Sequence, residues 1–140
     1  MVRASRFGGI PAVLVLLAAC GCDGSRGVVP VEGRITFGGN QPPAPGYLYF
    51  TPQDMQEGET GSEPRPATAI FMHEGLFRPT TFTAGDGLRP GVYDVRVECH
   101  AAAEGGHGPG RSAVPANYEP PPLTVPADGP RPVSVTIDVP

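Results

Sequence analysis

Apolar and polar residues alternate along most of this chain, in short runs separated by turn residues. Val29, Val31, Gly33, Ile35 and Phe37 alternate with Pro30, Glu32, Arg34 and Thr36, which predicts a strand with one buried face. Pro30 lies near its start, where a missing N–H is tolerated. Gly38-Gly39-Asn40 supplies a turn, and residues 47–51 predict a second strand with Leu48 and Phe50 inward and Tyr47 and Tyr49 outward. Residues 67–72 and 76–82 predict two more strands, joined through His73-Glu74-Gly75 as a tight hairpin. A short strand is expected at residues 123–125. The last, at residues 133–139, turns Val133, Val135, Ile137 and Val139 inward.

The run that organises the rest is Gly87-Leu88-Arg89-Pro90-Gly91-Val92-Tyr93-Asp94-Val95-Arg96-Val97-Glu98-Cys99. Tyr93, Val95, Val97 and Cys99 form its apolar face, after a Pro-Gly turn. Leu88, Pro90, Gly91 and Tyr93 have the form of a tyrosine corner, in which a Tyr at a strand start bonds back to nearby backbone. Such corners belong to Greek-key sandwiches. About seven strands and no helix after residue 19 predict an all-β, antiparallel, seven-stranded Greek-key sandwich. Residues 53–66, which are acidic and aperiodic, and residues 100–115, rich in Gly, Ala and Pro, are expected to be exposed loops. Gly and Pro together supply 39 of the 140 residues, concentrated between the apolar runs as turns require.

The first 19 residues follow a different pattern. Arg3 and Arg6 precede an apolar run from Ile10 to Ala19 that is short for a membrane span, the layout of a secretory signal peptide. Leu17-Ala18-Ala19-Cys20 resembles the bacterial lipobox, in which small residues fit the signal peptidase and the Cys thiolate takes a diacylglycerol. An ordinary secretory signal with an incidental cysteine is the alternative. The resemblance implies a signal peptide at 1–19, a lipidated Cys20 with a flexible tether at 20–27, and one domain at 28–140. It also implies a cell-envelope location, with the membrane as a partner through the lipid. Gly21, rather than Asp, after the cysteine points to the outer membrane, with the domain facing the periplasm or the surface. Acyl methylenes contribute roughly 0.8 kcal/mol each on insertion, so two or more chains on one cysteine anchor durably.

Removal of residues 1–19 leaves 121 residues, the size of one domain, with eight arginines against 14 acids and no lysine. An acidic surface without a basic stripe excludes nucleic acid as a partner.

Gly33-Arg34-Ile35-Thr36-Phe37-Gly38-Gly39-Asn40, then Pro42 and Gly46-Tyr47-Leu48-Tyr49-Phe50, resembles the opening of carboxypeptidase-regulatory-like domains. The Ala67-Thr68-Ala69 strand, the Glu74-Gly75-Leu76-Phe77 hairpin and the Leu-x-Pro-Gly-x-Tyr-x-Val-x-Val segment follow in the family's order. The resemblance covers residues 28–139. It implies a transthyretin-like sandwich, as in small bacterial envelope lipoproteins that carry this domain alone. It does not imply a peptidase, since no His-x-x-Glu or His-Glu-x-x-His metal motif is present. Lys–Asn isopeptide closure, known in related pilin-type sandwiches, is excluded by the absence of lysine.

Candidate chemistry is sparse. Glu98, Cys99, His100, Glu104 and His107 bring borderline ligands together, and Cys99, His100 and His107 are the metal candidates for zinc or copper. Unligated loop histidines are the competing expectation, as the alternation sends Cys99 inward and His100 outward. Glu57, Glu59 and Glu63 lack the oxygen-rich spacing of a calcium loop. Ser112 and Ser134 have no evident His and acid partners. Cys22 and Cys99 are candidate disulfide partners in an oxidising envelope, against a buried free thiol at Cys99. The expectation is a non-enzymatic module without cofactor. It would bind or scaffold an envelope protein through an exposed edge strand or the two long loops, with a metal-binding or hydrolytic protein as the alternative.

Overall fold

The computed structural model of the chain describes residues 27–54, 64–103, 105, 106 and 108–140. Residues 1–26, and with them the signal peptide, Cys20, Cys22 and nearly all of the tether, lie outside this set, as do Glu57, Glu59, Glu63, Glu104 and His107.

Among the described residues there is no helix, and the strands are β1 (Val31–Phe37), β2 (Gly46–Pro52), β3 (Ala67–Phe71), β4 (Leu76–Phe77), β5 (Gly91–Ala102), β6 (Pro109–Ser112), β7 (Leu123–Val125) and β8 (Val133–Val139). They form two sheets, one ordered β4-β1-β8 and the other β3-β2-β5-β6, with β7 also paired to β5. Alternation is the cause. In β2 Leu48 and Phe50, in β3 Ala67, Ala69 and Phe71, and in β5 Tyr93, Val95, Val97 and Cys99 are all buried, and their neighbours turn outward. The inward faces of both sheets meet in one core. Phe37 of β1 packs on Phe71 of β3 with ring centroids 6.4 Å apart, and Phe50 of β2 on Phe77 of β4 at 6.3 Å. The architecture is all-β and sandwich-like.

Three features depart from expectation. Eight strands form among the described residues rather than seven, because β5 runs on through His100 to Ala102 and β6 pairs with that extension in place of a loop. The segment after Leu76 is a strand for only two residues. Beyond it, Asp86 gathers the chain into a loop, accepting the Thr81 N–H at 2.8 Å on one carboxylate oxygen and those of Phe82 and Thr83 at 3.0 Å on the other. The small sheet is mixed rather than antiparallel, since β1 pairs β8 in parallel from Val31↔Val133 to Phe37↔Val139.

The start of β5 is locked. Tyr93 is fully buried and donates its hydroxyl to the Arg89 carbonyl, four residues upstream, at 2.8 Å. Leu88 is likewise buried and exchanges backbone hydrogen bonds with Val29 at 2.7 and 3.0 Å.

Candidate functional site

The metal candidates do not converge among the described residues. Cys99 is 1 % exposed and its thiol donates to the Ala44 carbonyl at 3.3 Å, while His100 points to the opposite, solvent face. Burial pushes the Cys99 thiol pKa up, so the thiol form dominates. Glu98 is engaged elsewhere: it accepts the Tyr49 hydroxyl at 3.1 Å and pairs with Arg96 at 3.1 Å. No three His, Cys, Asp or Glu side chains among the described residues are grouped to hold a metal. His73 sits exposed at its hairpin tip, where Gly75 takes φ 72° and donates its N–H to the Met72 carbonyl at 2.9 Å. The Ser112 hydroxyl closes a local turn with the backbone of Val114 at 3.0 and 3.2 Å.

The outer face of the large sheet is a packed ladder. Tyr47 and Tyr49 stack at 6.4 Å, and the Arg96 guanidinium lies 4.6 Å from the Tyr49 ring centroid. The hydrogen bond to Glu98, followed by partial burial, raises the Tyr49 pKa, keeping that hydroxyl a donor. Cross-strand packing thus accounts for Tyr49, and only Tyr47, 49 % exposed, keeps a free face.

A concave feature lies where the two sheets end side by side. A cleft of about 740 Å³ opens between β3 and β4, lined by Ala69, Ile70, Leu76, Phe77 and, at one end, the exposed Glu32–Arg78 ion pair. Ile70 and Leu76 are 56 % and 57 % exposed, and Met72 beside them is 56 % exposed. Both strands show backbone here. Thr68 exchanges hydrogen bonds with Thr80 across the outer edge of β3 at 2.7 and 3.2 Å. Ile70, two residues on, therefore presents its N–H and C=O to the same edge, with no strand beside it among the described residues. On β4 the Gly75 carbonyl accepts from Ile35 of β1 at 2.8 Å, so Leu76 turns its own groups away from β1. An apolar cleft between two strand edges is equipped to hold an apolar, hydrogen-bonding partner.

Alternation alone does not single out the β3 edge, since it makes Ile70, Met72 and Leu76 simply members of two strands. A signal was present in the apolar residues at solvent positions of β3 and β4, opposite a buried set already complete.

No protein-family model, curated relative or solved structure matches the chain.

Proposed function

We propose that this chain is a lipid-anchored protein of the bacterial cell envelope, tethered through Cys20, whose domain is a non-catalytic binding or scaffolding module. Its fold type on this reading is a Greek-key, transthyretin-like sandwich of the carboxypeptidase-regulatory-like kind, set in the outer membrane and facing the periplasm or the surface. The anchor is supported by Leu17-Ala18-Ala19-Cys20 directly after a short apolar run. The observation that carries the binding function is the apolar cleft between the open edges of β3 and β4, where Ile70 and Leu76 stand more than half exposed. A domain that needed only to fold would gain from covering these side chains.

The competing metal or hydrolytic reading would use Glu98, Cys99, His100 and His107. No observation favours it, since Glu98 is held by Tyr49 and Arg96 while Cys99 and His100 face opposite ways.

Labelled fatty acid should enter the wild type and not Cys20→Ala. A photo-crosslinking residue at Met72 should yield a discrete adduct with one envelope protein, lost when Ile70→Glu and Leu76→Glu are combined. Failure of the wild type to take up label would sink the anchor. Stoichiometric zinc or copper, lost on His100→Ala with His107→Ala, would sink the non-catalytic reading.

A further inference from the structure

The large sheet has a second opening, in the middle of its longest strand. Along β5, hydrogen bonding alternates between two edges. The Gln53 N–H donates to the Val92 carbonyl at 2.9 Å, so Val92, Asp94, Arg96 and Glu98 direct their backbone groups to β2. Tyr93, Val95, Val97 and Cys99 direct theirs to the other edge. There, β7 serves Gly91 through Tyr93, and the Ala113 N–H serves the Cys99 carbonyl at 2.8 Å. Between these, Val95 and Val97 face no strand among the described residues. From Tyr93 to Cys99 the unserved edge spans about 20 Å at the rise of an extended chain.

The chain itself could have filled this gap, and its prolines prevent that. Continuing the β7 register places Pro121 opposite Val95, at the position that must donate to the Val95 carbonyl. Continuing the β6 register from the Ala113 bond places Pro115 opposite Val97, at the matching donor position. Neither residue has an N–H to give. The segment between β6 and β7 leaves this edge and crosses toward the small sheet instead. It is pinned to the small sheet by Tyr118, whose hydroxyl donates to the Asp138 carbonyl at 2.7 Å, and it turns on the Tyr118 N–H, which donates to Pro115 at 3.0 Å. A groove of about 670 Å³ remains, floored by residues 94–98 of β5 and walled by the crossing segment.

We infer that this groove takes a short extended peptide from a partner protein, added to the large sheet as a strand between β6 and β7. The geometry states its chemistry. Residues opposite Val95 and Val97 exchange N–H and C=O bonds with them and turn their side chains inward, so they must be apolar and not proline. Residues opposite Asp94 and Glu98 lie on the outer face, with Glu119 exposed on the groove wall. Three acids stand there against one cation, Arg96, which pairs with Glu98, while Asp94 accepts only the neutral Gln53 amide at 2.7 Å, so the net negative charge makes basic flanking residues of the partner the favoured ones. The residue opposite Arg96 is polar. This site is independent of the anchor and of the β3–β4 cleft.

The probe is acetyl-Lys-Val-Thr-Val-Lys-amide, titrated into the full-length protein and followed by amide exchange and proton–nitrogen correlation spectra. In the free protein the Asp94 and Arg96 amides should exchange slowly and those of Val95 and Val97 quickly. Peptide should slow the latter two and shift their resonances. N-methylation of both peptide valines should weaken binding by about tenfold or more, as should Glu in place of both lysines, while N-methylation of the threonine should not. The Ile70→Glu, Leu76→Glu protein should bind the peptide as the wild type does, which separates this site from the cleft. Equal binding of the valine-methylated peptide, or shifts confined to the cleft, would overturn the inference. So would concentration-dependent protection of Val95 and Val97 without peptide, which would assign the edge to a second copy of the chain.

Discussion

Tyr93 and Asp86 hold the entry to β5 by different physics. The Tyr93 hydroxyl lies in the core with the Arg89 carbonyl as its acceptor, and burial raises its pKa, so it remains a neutral donor across the stable pH range. Tyr93→Phe keeps the ring and removes the bond, leaving a buried carbonyl short of a partner. The expected loss is about 1–3 kcal/mol, read as a lower urea midpoint at unchanged slope. Asp86 is the charged counterpart. Burial works to raise its pKa, but the backbone N–H groups of Thr81, Thr83 and Phe82 outweigh it, and the folded carboxyl titrates below its usual range. A depressed folded pKa contributes stability that is present above the unfolded value near 3.9 and is lost as pH falls through the folded pKa. Asp86→Asn should therefore cost about 1–3 kcal/mol at neutral pH. Its deficit against the wild type should shrink as the pH drops below about 4. Denaturation of both proteins from neutral to acid pH checks the sign, and a deficit that grows in acid would contradict it. Cys99, buried with a raised pKa, should resist alkylation in the native protein and react at once in denaturant without reductant, as peptide mass analysis would show. Absence of that reaction would point to a disulfide with Cys22.

At the scale of elements, β1 and β4 meet at a contact that only glycine allows. Phe77 lies against the Gly33 backbone, and a Cβ at Gly33 would fall inside the ring, which is itself packed on Phe50. Gly33→Ala must displace that ring and should cost about 1–3 kcal/mol, measurable by urea titration. Much of this architecture was legible in the sequence. The buried positions of β2, β3 and β5 follow period two residue by residue, because one face of each meets a core and the other meets water. The parts that were not legible share a cause. β6 has no alternation of its own; it forms on the edge of β5 opposite β2, where the strand continues past Cys99 to His100 and Ala102. The parallel run of β1 beside β8 is invisible to a period that is the same in either direction. The strand expected through Phe82 stops at Phe77 because the Asp86 carboxylate recruits three consecutive N–H groups, a preference that an alternation count does not weigh.

For the whole molecule, the cleft and the groove are two openings that folding leaves at strand edges among the described residues. Of these, the sequence disclosed Pro115 and Pro121 but not the register that sets each opposite a waiting carbonyl. Because Ile70 and Leu76 are exposed, Ile70→Glu with Leu76→Glu should change stability by no more than about 0.5 kcal/mol per site while removing the crosslinked adduct. A thermal scan beside the crosslinking assay reads both. The shared direction of β1 and β8 has a further consequence. Val31 and Val133 stand level at one pole of the domain, Phe37 and Val139 at the other, about 20 Å away. Gly38 caps the second pole by donating to Val139 at 2.7 Å, and Phe71, level with Gly46 and packed on Phe37, brings the overrun of β5 to the same place. A lipid attached ahead of Val29 would hold the first pole toward the bilayer. The second would then stand clear of the headgroups, open to encounters from the aqueous side.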